Sequence, residues 1–344
     1  MGRIVIAGAG AMGASVAYHL ALLGARDVVL TDRTTVASGA TAKAMGGVRQ
    51  QFSTAAEVRL AQASIRFFEE LGPPLFQQVG YLFLATTDRG LDELTERMRE
   101  QRALGVPVER ARLPAELRAD DVRGAVACWK DGLADPTAIT RELVRRAVEL
   151  GVVLHEGVDA RELDREVLVV CAGPHSWELA PLPVRPLRRQ LLETSLLEVP
   201  DNLPMVVEHE TGFHFRRSQA GGSIVIAMAD IEPLWGEGAE VDDAVFDDRL
   251  ERLVHRYPPA AGARIERAWA GLYDMSPDAH PIIGPVGHGL YAVCGFSGHG
   301  FMQSPAVGRA VAEELLLGRS RFDLEPYRLE RFAEGAVVPE RVVL

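Results

Sequence analysis

Gly8, Gly10 and Gly13 stand in G-x-G-x-x-G spacing, and Asp32 follows about twenty residues later. This set of residue types suits a dinucleotide. Gly8 permits a tight turn, Gly10 lets a pyrophosphate approach the backbone, and Gly13 lets a helix pack closely on a strand. N–H groups at a helix start have no partner in their own helix and can face phosphate oxygens. The Asp32 carboxylate can accept a hydrogen bond from a ribose hydroxyl.

Such a site needs a strand, a turn, a helix and a second strand in that order. Ile4 to Ala7 is a short apolar run, as expected for a strand buried on both faces. Ala17 and Leu20 continue the inner face of the following helix, which Gly24 ends. Asp27 to Thr31 supplies the second strand and delivers Asp32 at its end. A glycine fingerprint alone is weak, and a glycine-rich turn of another α/β protein is the plain alternative. Ile4 to Ala25 carries no formal charge, but three clustered glycines and His19 argue against a membrane span, and no signal peptide is expected.

The 344 residues suggest roughly two domains. Hydrophobic residues make up 47% and charged residues 25%, as in an ordinary soluble protein. The net charge of −11 leaves no basic surplus for a nucleic-acid partner. Short basic clusters at Arg185 to Arg189 and Arg216–Arg217 are expected on solvated surface, with at most one of the latter pair facing a pocket. Cys128, Cys171 and Cys294 form no C-x-x-C pair, so no metal site is expected, and a reduced, cytoplasmic setting is the default.

Residues 34 to 50 form a long, small, polar segment of the kind that is usually functional. Helices are expected at 55 to 71, 91 to 104 and 136 to 150, the last capped by Asp135 with Pro136 in its first turn. Strands are expected at 80 to 86, 152 to 155 and 167 to 170. From 186 to 250 the pattern turns to β and suggests an antiparallel sheet. LYAVCGF, SGHG and a helix through Leu317 repeat the strand, turn, helix order near the carboxyl end.

Four stretches in order carry a family resemblance over nearly the whole chain: GAGAMGASVAYHLALLGARDVVLTD, SGATAKAMGGVRQQF, VVCAGPHS, and GLYDMSPDAHPIIGP with GFSGHGFMQSPAVG. They resemble the FAD-dependent amine oxidoreductases of the D-amino-acid oxidase, glycine oxidase and sarcosine oxidase group. GGVRQQF is closest to the sarcosine, dimethylglycine and proline dehydrogenase branch. The resemblance implies an α/β fold: a Rossmann-like FAD-binding domain of glutathione-reductase type, interleaved with an α+β substrate domain on an antiparallel sheet. The expected division gives 1–75, 136–185 and 265–344 to FAD, and 76–135 and 186–264 to substrate.

The resemblance also implies roles. Gly8, Ala9, Gly10, Ala11, Met12 and Gly13 match the pyrophosphate loop. Asp32 and Arg33 match the ribose and adenosine contacts, and Ser38, Gly39, Ala40 and Thr41 a second phosphate contact. Met45, Gly46 and Gly47 would run along the flavin, Val158 would hold adenine, and Ala172 and Gly173 would pack on the cofactor. Gly298, His299, Gly300, Phe301 and Met302 would reach the carbonyl edge of the ring. Three departures narrow the reading. Tyr273 stands where glycine and D-amino-acid oxidases carry an Arg for the substrate carboxylate. Met302 stands where monomeric sarcosine oxidases have a Lys. Gly271 stands where those enzymes attach flavin to a Cys, so FAD is expected to bind non-covalently.

The implied reaction moves a hydride from a substrate CH–NH carbon to flavin, and the imine is hydrolysed. Arg49 is the first candidate for a substrate carboxylate, because a guanidinium matches it bidentately. Tyr273, His214 and His299 are the other catalytic candidates, while His175 and His280 read as structural. Small amines or amino acids are the expected substrates, and oxygen, a quinone or a protein the electron acceptor. Assembly with like or unlike subunits is compatible with the sequence. The alternatives are a flavin-bearing subunit with little activity alone, a chain that keeps FAD only as structure, and a nicotinamide enzyme.

Overall fold

The computed structural model describes residues 2–340. Its first layer is a six-stranded sheet in the order Ile282–Gly287, Leu290–Cys294, Val167–Val170, Ile4–Ala7, Val28–Asp32, Val153–Glu156. All pairings are parallel except that of Ile282–Gly287 with Leu290–Cys294. Alternation along a strand splits the central one between two cores. Ile4 and Ile6 join the cluster under the helices, and Val5 and Ala7 join the one on the opposite face.

The helix Ala11–Leu22 begins at Gly10 and is buried on most sides. It packs between the helices Pro136–Glu149 and Gly300–Leu317. The second crossing is close because Gly308 has no side chain: a Cβ there would lie 2.2 Å from the Ser15 hydroxyl. That hydroxyl donates to the Ser304 carbonyl at 2.6 Å, which replaces a hydrogen bond to water. As expected, Asp135 caps Pro136–Glu149, its carboxylate accepting from Ala138 N at 2.9 Å.

The second layer is an eight-stranded sheet ordered Ile265–Met275, Arg185–Thr194, Ile224–Ala227, His214–Arg217, Met205–Glu208, Tyr81–Ala85, Gly124–Cys128, Val108–Arg110. Two details differ from expectation. Met205–Glu208 pairs with Tyr81–Ala85 in parallel, so the sheet is mixed rather than antiparallel throughout. Ile265–Met275, expected in the cofactor unit, pairs along ten residues of Arg185–Thr194 and belongs to this second sheet. A strand that long is held by its ladder, and sequence position does not reveal which sheet supplies the partner. A small third sheet joins Gly47–Val48, Gly132–Ala134 and Phe76–Gln77.

Candidate active site

A cavity of about 650 Å³ runs between the two large sheets, from the Gly8–Gly10 turn to the segment Gly298–Met302. That volume falls within the usual range for cofactor and ligand clefts. At the first end, the positive φ of Gly8 (+105°) and its distance to the next strand require glycine: a Cβ would lie 2.4 Å from the Cys171 carbonyl oxygen. Gly13 is equally constrained, since its Cβ would stand 1.8 Å from the Gly8 carbonyl oxygen. It therefore serves helix packing and does not line the cavity. Ala9 is also fully buried outside the lining and donates its N–H to Asp32 Oδ2 at 2.8 Å.

Gly8, Gly10, Ala11, Met12, Asp32, Arg33, Ser38, Gly39, Ala40 and Thr41 all line this end. The Thr41 hydroxyl accepts from Ala11 N at 3.1 Å, tying the second loop to the start of the first helix. Among the described residues its own proton has no acceptor. Asp32 Oδ1 accepts from the backbone and hydroxyl of Thr34, each at 2.8 Å. Arg33 pairs with Glu178 at 2.7 Å on the cavity rim. Val158 lies alongside, its N–H donating to the Asp32 carbonyl at 3.0 Å. Ala172 and Gly173 complete the floor.

The far end gathers residues distant in sequence: Met45, Gly46, Gly47, Arg49, His214, Tyr273, Gly298, His299, Gly300, Phe301 and Met302. Two glycines make it possible. A Cβ at Gly47 would meet the Tyr81 hydroxyl at 1.7 Å, and one at Gly298 would meet the Tyr273 ring at 2.4 Å. Arg49 is buried. It donates to the Gln51 carbonyl, its Nη2 lies 3.3 Å from His299 Nε2, and its guanidinium carbon sits 4.2 Å from the centre of the Phe52 ring. Burial lowers its pKa, and the Tyr81, Glu340, Asp131 and Glu57 charges oppose that.

Asp131 holds the segment that carries Arg49. Its carboxylate accepts from Gln50 N at 3.0 Å and from both neighbouring glutamine side chains, Gln50 at 3.0 Å and Gln51 at 3.1 Å. Burial pushes its pKa up to about 6 despite these bonds. Asp274 does the same for the loop before Gly298, accepting from Gly295 N at 2.8 Å and Phe296 N at 3.1 Å. Behind His299, Glu57 accepts from Gln303 and from His280, the latter at 2.8 Å.

His214 is buried, and its Nδ1 contacts the Gly212 carbonyl at 2.8 Å. A carbonyl only accepts, so Nδ1 carries the proton and Nε2 is left as an acceptor. Burial lowers its pKa to about 4, assisted by the Arg189 and Arg49 charges. The unfolded chain then takes up a proton near pH 6.5 that the folded chain refuses until about pH 4, so this residue's contribution to stability falls as pH falls through that window. Replacing His214 by Gln removes this component. Denaturant titrations of both proteins are expected to show the wild-type advantage shrinking by about 2 kcal/mol between pH 7 and pH 5.

Several residues important here were not singled out by their types. Arg188 and Arg189 were expected at the surface. Arg188 is buried and pairs with Asp230 at 3.1 Å, and Arg189 lines the cavity with its guanidinium 5.3 Å from the Tyr273 ring centre. Strand alternation within an apolar run is the signal that could have found Arg189. Neither Arg216 nor Arg217 lines the cavity; Arg216 is buried and donates to the Met45 carbonyl at 2.6 Å, bracing the glycines that follow. Lys43 and Tyr81 also line the far end, and nothing in their spacing announces it.

A family model described as DAO, FAD dependent oxidoreductase, matches residues 3–314. The chain belongs to this family. The oxidoreductase is 29% identical to bovine (Bos taurus) FAD-dependent oxidoreductase domain-containing protein 1, over 99% of this chain and 87% of that protein. It is 25% identical to the sarcosine oxidase subunit beta of an Arthrobacter species, over 98% of this chain and 92% of that one. Among solved structures, L-proline dehydrogenase from P. horikoshii matches with a TM-score of 0.90 at 25% identity, covering 98% of this chain and 99% of that one. The mixed α/β architecture is therefore that of FAD-binding enzymes. The glycine cradle at Gly8 and Gly10, which added Cβ atoms would fill or crowd, fits a dinucleotide diphosphate. No helix among the described residues is long and apolar enough to cross a membrane.

Proposed function

We propose that this oxidoreductase oxidises the CH–NH bond of a small amino acid, with FAD held non-covalently along the cavity. The observation that carries this reading is the cavity's polarity of design. One end offers turn glycines, a helix N-terminus and Asp32, and the other offers Arg49, Tyr273 and His214 around the glycines Gly46, Gly47 and Gly298. FAD bound there supplies the hydride acceptor. The protein's tasks are to orient the substrate, exclude water and balance charge.

Arg49 and the Tyr273 phenol are assigned to the substrate carboxylate. Burial raises the Tyr273 pKa, so the phenol stays a donor. The His214 Nε2 lone pair could accept an N–H of the substrate amine and so fix the orientation of the α-carbon. With FAD as acceptor, a substrate that binds with its amine neutral would lose the α-hydrogen with its electron pair while the nitrogen lone pair forms the C=N bond, and water would then hydrolyse the iminium. Gly271 offers no side chain for attachment of the ring, and burial holds the Cys171 thiol well above its usual pKa, so neither supplies a reactive thiolate.

An anaerobic panel of sarcosine, dimethylglycine, proline, glycine and D-amino acids, read by bleaching of the flavin, tests the reading. At least one is expected to reduce the flavin within seconds, and admitted oxygen then distinguishes oxidase from dehydrogenase. A chain that no amine bleaches, alone or with a co-purified subunit, would not be an amine-oxidising enzyme. The similarity to a sarcosine oxidase beta subunit supports a second reading, a flavin-bearing subunit that needs a partner. Weak bleaching alone and strong bleaching in a reconstituted complex would favour it.

A further inference from the structure

We infer that the substrate carries two anionic groups, an amino acid with a second carboxylate, held between the guanidinium groups of Arg49 and Arg189. This rests on the amino-acid oxidation proposed above and narrows its substrate class. The two arginines reach the same end of the cavity from different elements. Arg49 comes from the segment after Gly47–Val48, and Arg189 from the strand Arg185–Thr194. Tyr273 lies beside Arg189, whose guanidinium carbon is 5.3 Å from the ring centre.

Among the described residues, the hydrogen-bonding demand of Arg189 is met only in small part. Its Nη1 makes one long bond, 3.3 Å, to the Arg188 carbonyl. Its Nε is buried and finds no partner among the described residues. A guanidinium has five N–H donors, and buried donors without acceptors are rare in folded proteins. Among the described residues, no carboxylate lining the cavity answers it. Asp32 is engaged by Ala9 and Thr34, Glu178 by Arg33, Asp159 by Arg161, and Asp274 by Gly295 and Phe296. Lys43 adds a third cation to the lining.

A substrate with one carboxylate on Arg49 and Tyr273 would leave the half-buried Arg189 in the cavity wall without an anionic partner. An unpaired charge drawn partly out of water disfavours binding of such a substrate. A second carboxylate, on the side chain or on the nitrogen substituent, removes that cost and satisfies the buried Nε. The neutral His214 remains as the acceptor for the substrate nitrogen. The arrangement therefore selects by charge count as well as by size.

Non-oxidisable probes test this directly. FAD-loaded protein is titrated with succinate and glutarate, and with butyrate and valerate as single-charge counterparts of equal length. Kd is read calorimetrically and from perturbation of the flavin spectrum. The better dicarboxylate is expected to bind about ten- to a hundredfold more tightly than its counterpart, the worth of one added charge-assisted hydrogen-bonded pair. Arg189→Met should erase most of that ratio while leaving butyrate and valerate nearly unaffected, and Arg189→Lys should restore part of it. Equal binding of both probe classes by the wild-type protein overturns the inference, with no variant required. So does Arg189→Met weakening both classes alike, which would place Arg189 on a lone carboxylate. Glycine or proline bleaching the flavin without any dicarboxylate preference would remove the second anion and leave the proposed amine oxidation standing. A dicarboxylate preference in a chain that no amine bleaches would do the reverse.

Discussion

Gly10→Val protein is expected to purify folded and colourless. Within the protein, a Cβ at Gly10 approaches only the Thr41 hydroxyl, at 3.2 Å, so the polypeptide itself has room for it. Gly10 lines the cavity at the start of the helix Ala11–Leu22, so the rest of the valine takes up space beside Thr41 where a diphosphate would lie. Filling a packed contact in this way costs about 1–3 kcal/mol, or roughly ten- to a hundredfold in flavin affinity. Added strain in the diphosphate can only increase the loss. Visible absorbance of the purified protein, with circular dichroism as the check on folding, measures the outcome. Gly13→Ala is the contrasting case. Its Cβ would overlap the Gly8 carbonyl at 1.8 Å, so both the fold's stability and the flavin should suffer. A yellow Gly10→Val protein would take the loop out of phosphate binding.

Arg49→Met should weaken substrate binding strongly and leave flavin content unchanged. Methionine fills much of the arginine's volume and keeps contact with Phe52, which separates loss of charge from loss of packing. Removing one member of a buried, hydrogen-bonded ion pair costs about 2–4 kcal/mol, roughly 30- to 1000-fold in Kd. The concentration dependence of anaerobic flavin reduction reports that Kd, and the limiting rate at saturation reports the chemistry. Loss confined to Kd assigns Arg49 to the carboxylate. An unaltered half-saturation with a slower limiting rate would move it to the reacting centre, next to His299.

The cofactor end was legible because its constraints are local. Gly8, Gly10, Gly13 and Asp32 lie within one strand–turn–helix–strand unit, so their spacing is also their geometry. The helix cap at Asp135 could be read for the same reason. The substrate end was only partly legible. Arg49, Tyr273 and His299 were found through resemblance to a family, and the cavity does unite them. Arg189 escaped because a run of basic residues has the composition of a surface. Only the pairing of Arg185–Thr194 with two other strands makes it an interior wall. Asp131 and Asp274 escaped because their work is to hold backbone N–H groups and glutamines of segments far away in sequence.

The central strand of the first layer has one consequence for how this chain is made. Ile4–Ala7 can pair early with Val28–Asp32, but its other edge must wait for Val167–Val170, which in turn pairs with Leu290–Cys294, so the parallel ladder stays open on that side until residue 294 has been made. The Gly8–Gly10 turn is made long before the strand end at Cys171 against which Gly8 packs. Distant pairings of this kind close slowly and leave apolar strands uncovered meanwhile. A nucleotide that grips both ends of the molecule would then act as a late clasp, and cells short of riboflavin should accumulate this protein as aggregate or proteolytic fragments before they show any deficit in its transcript.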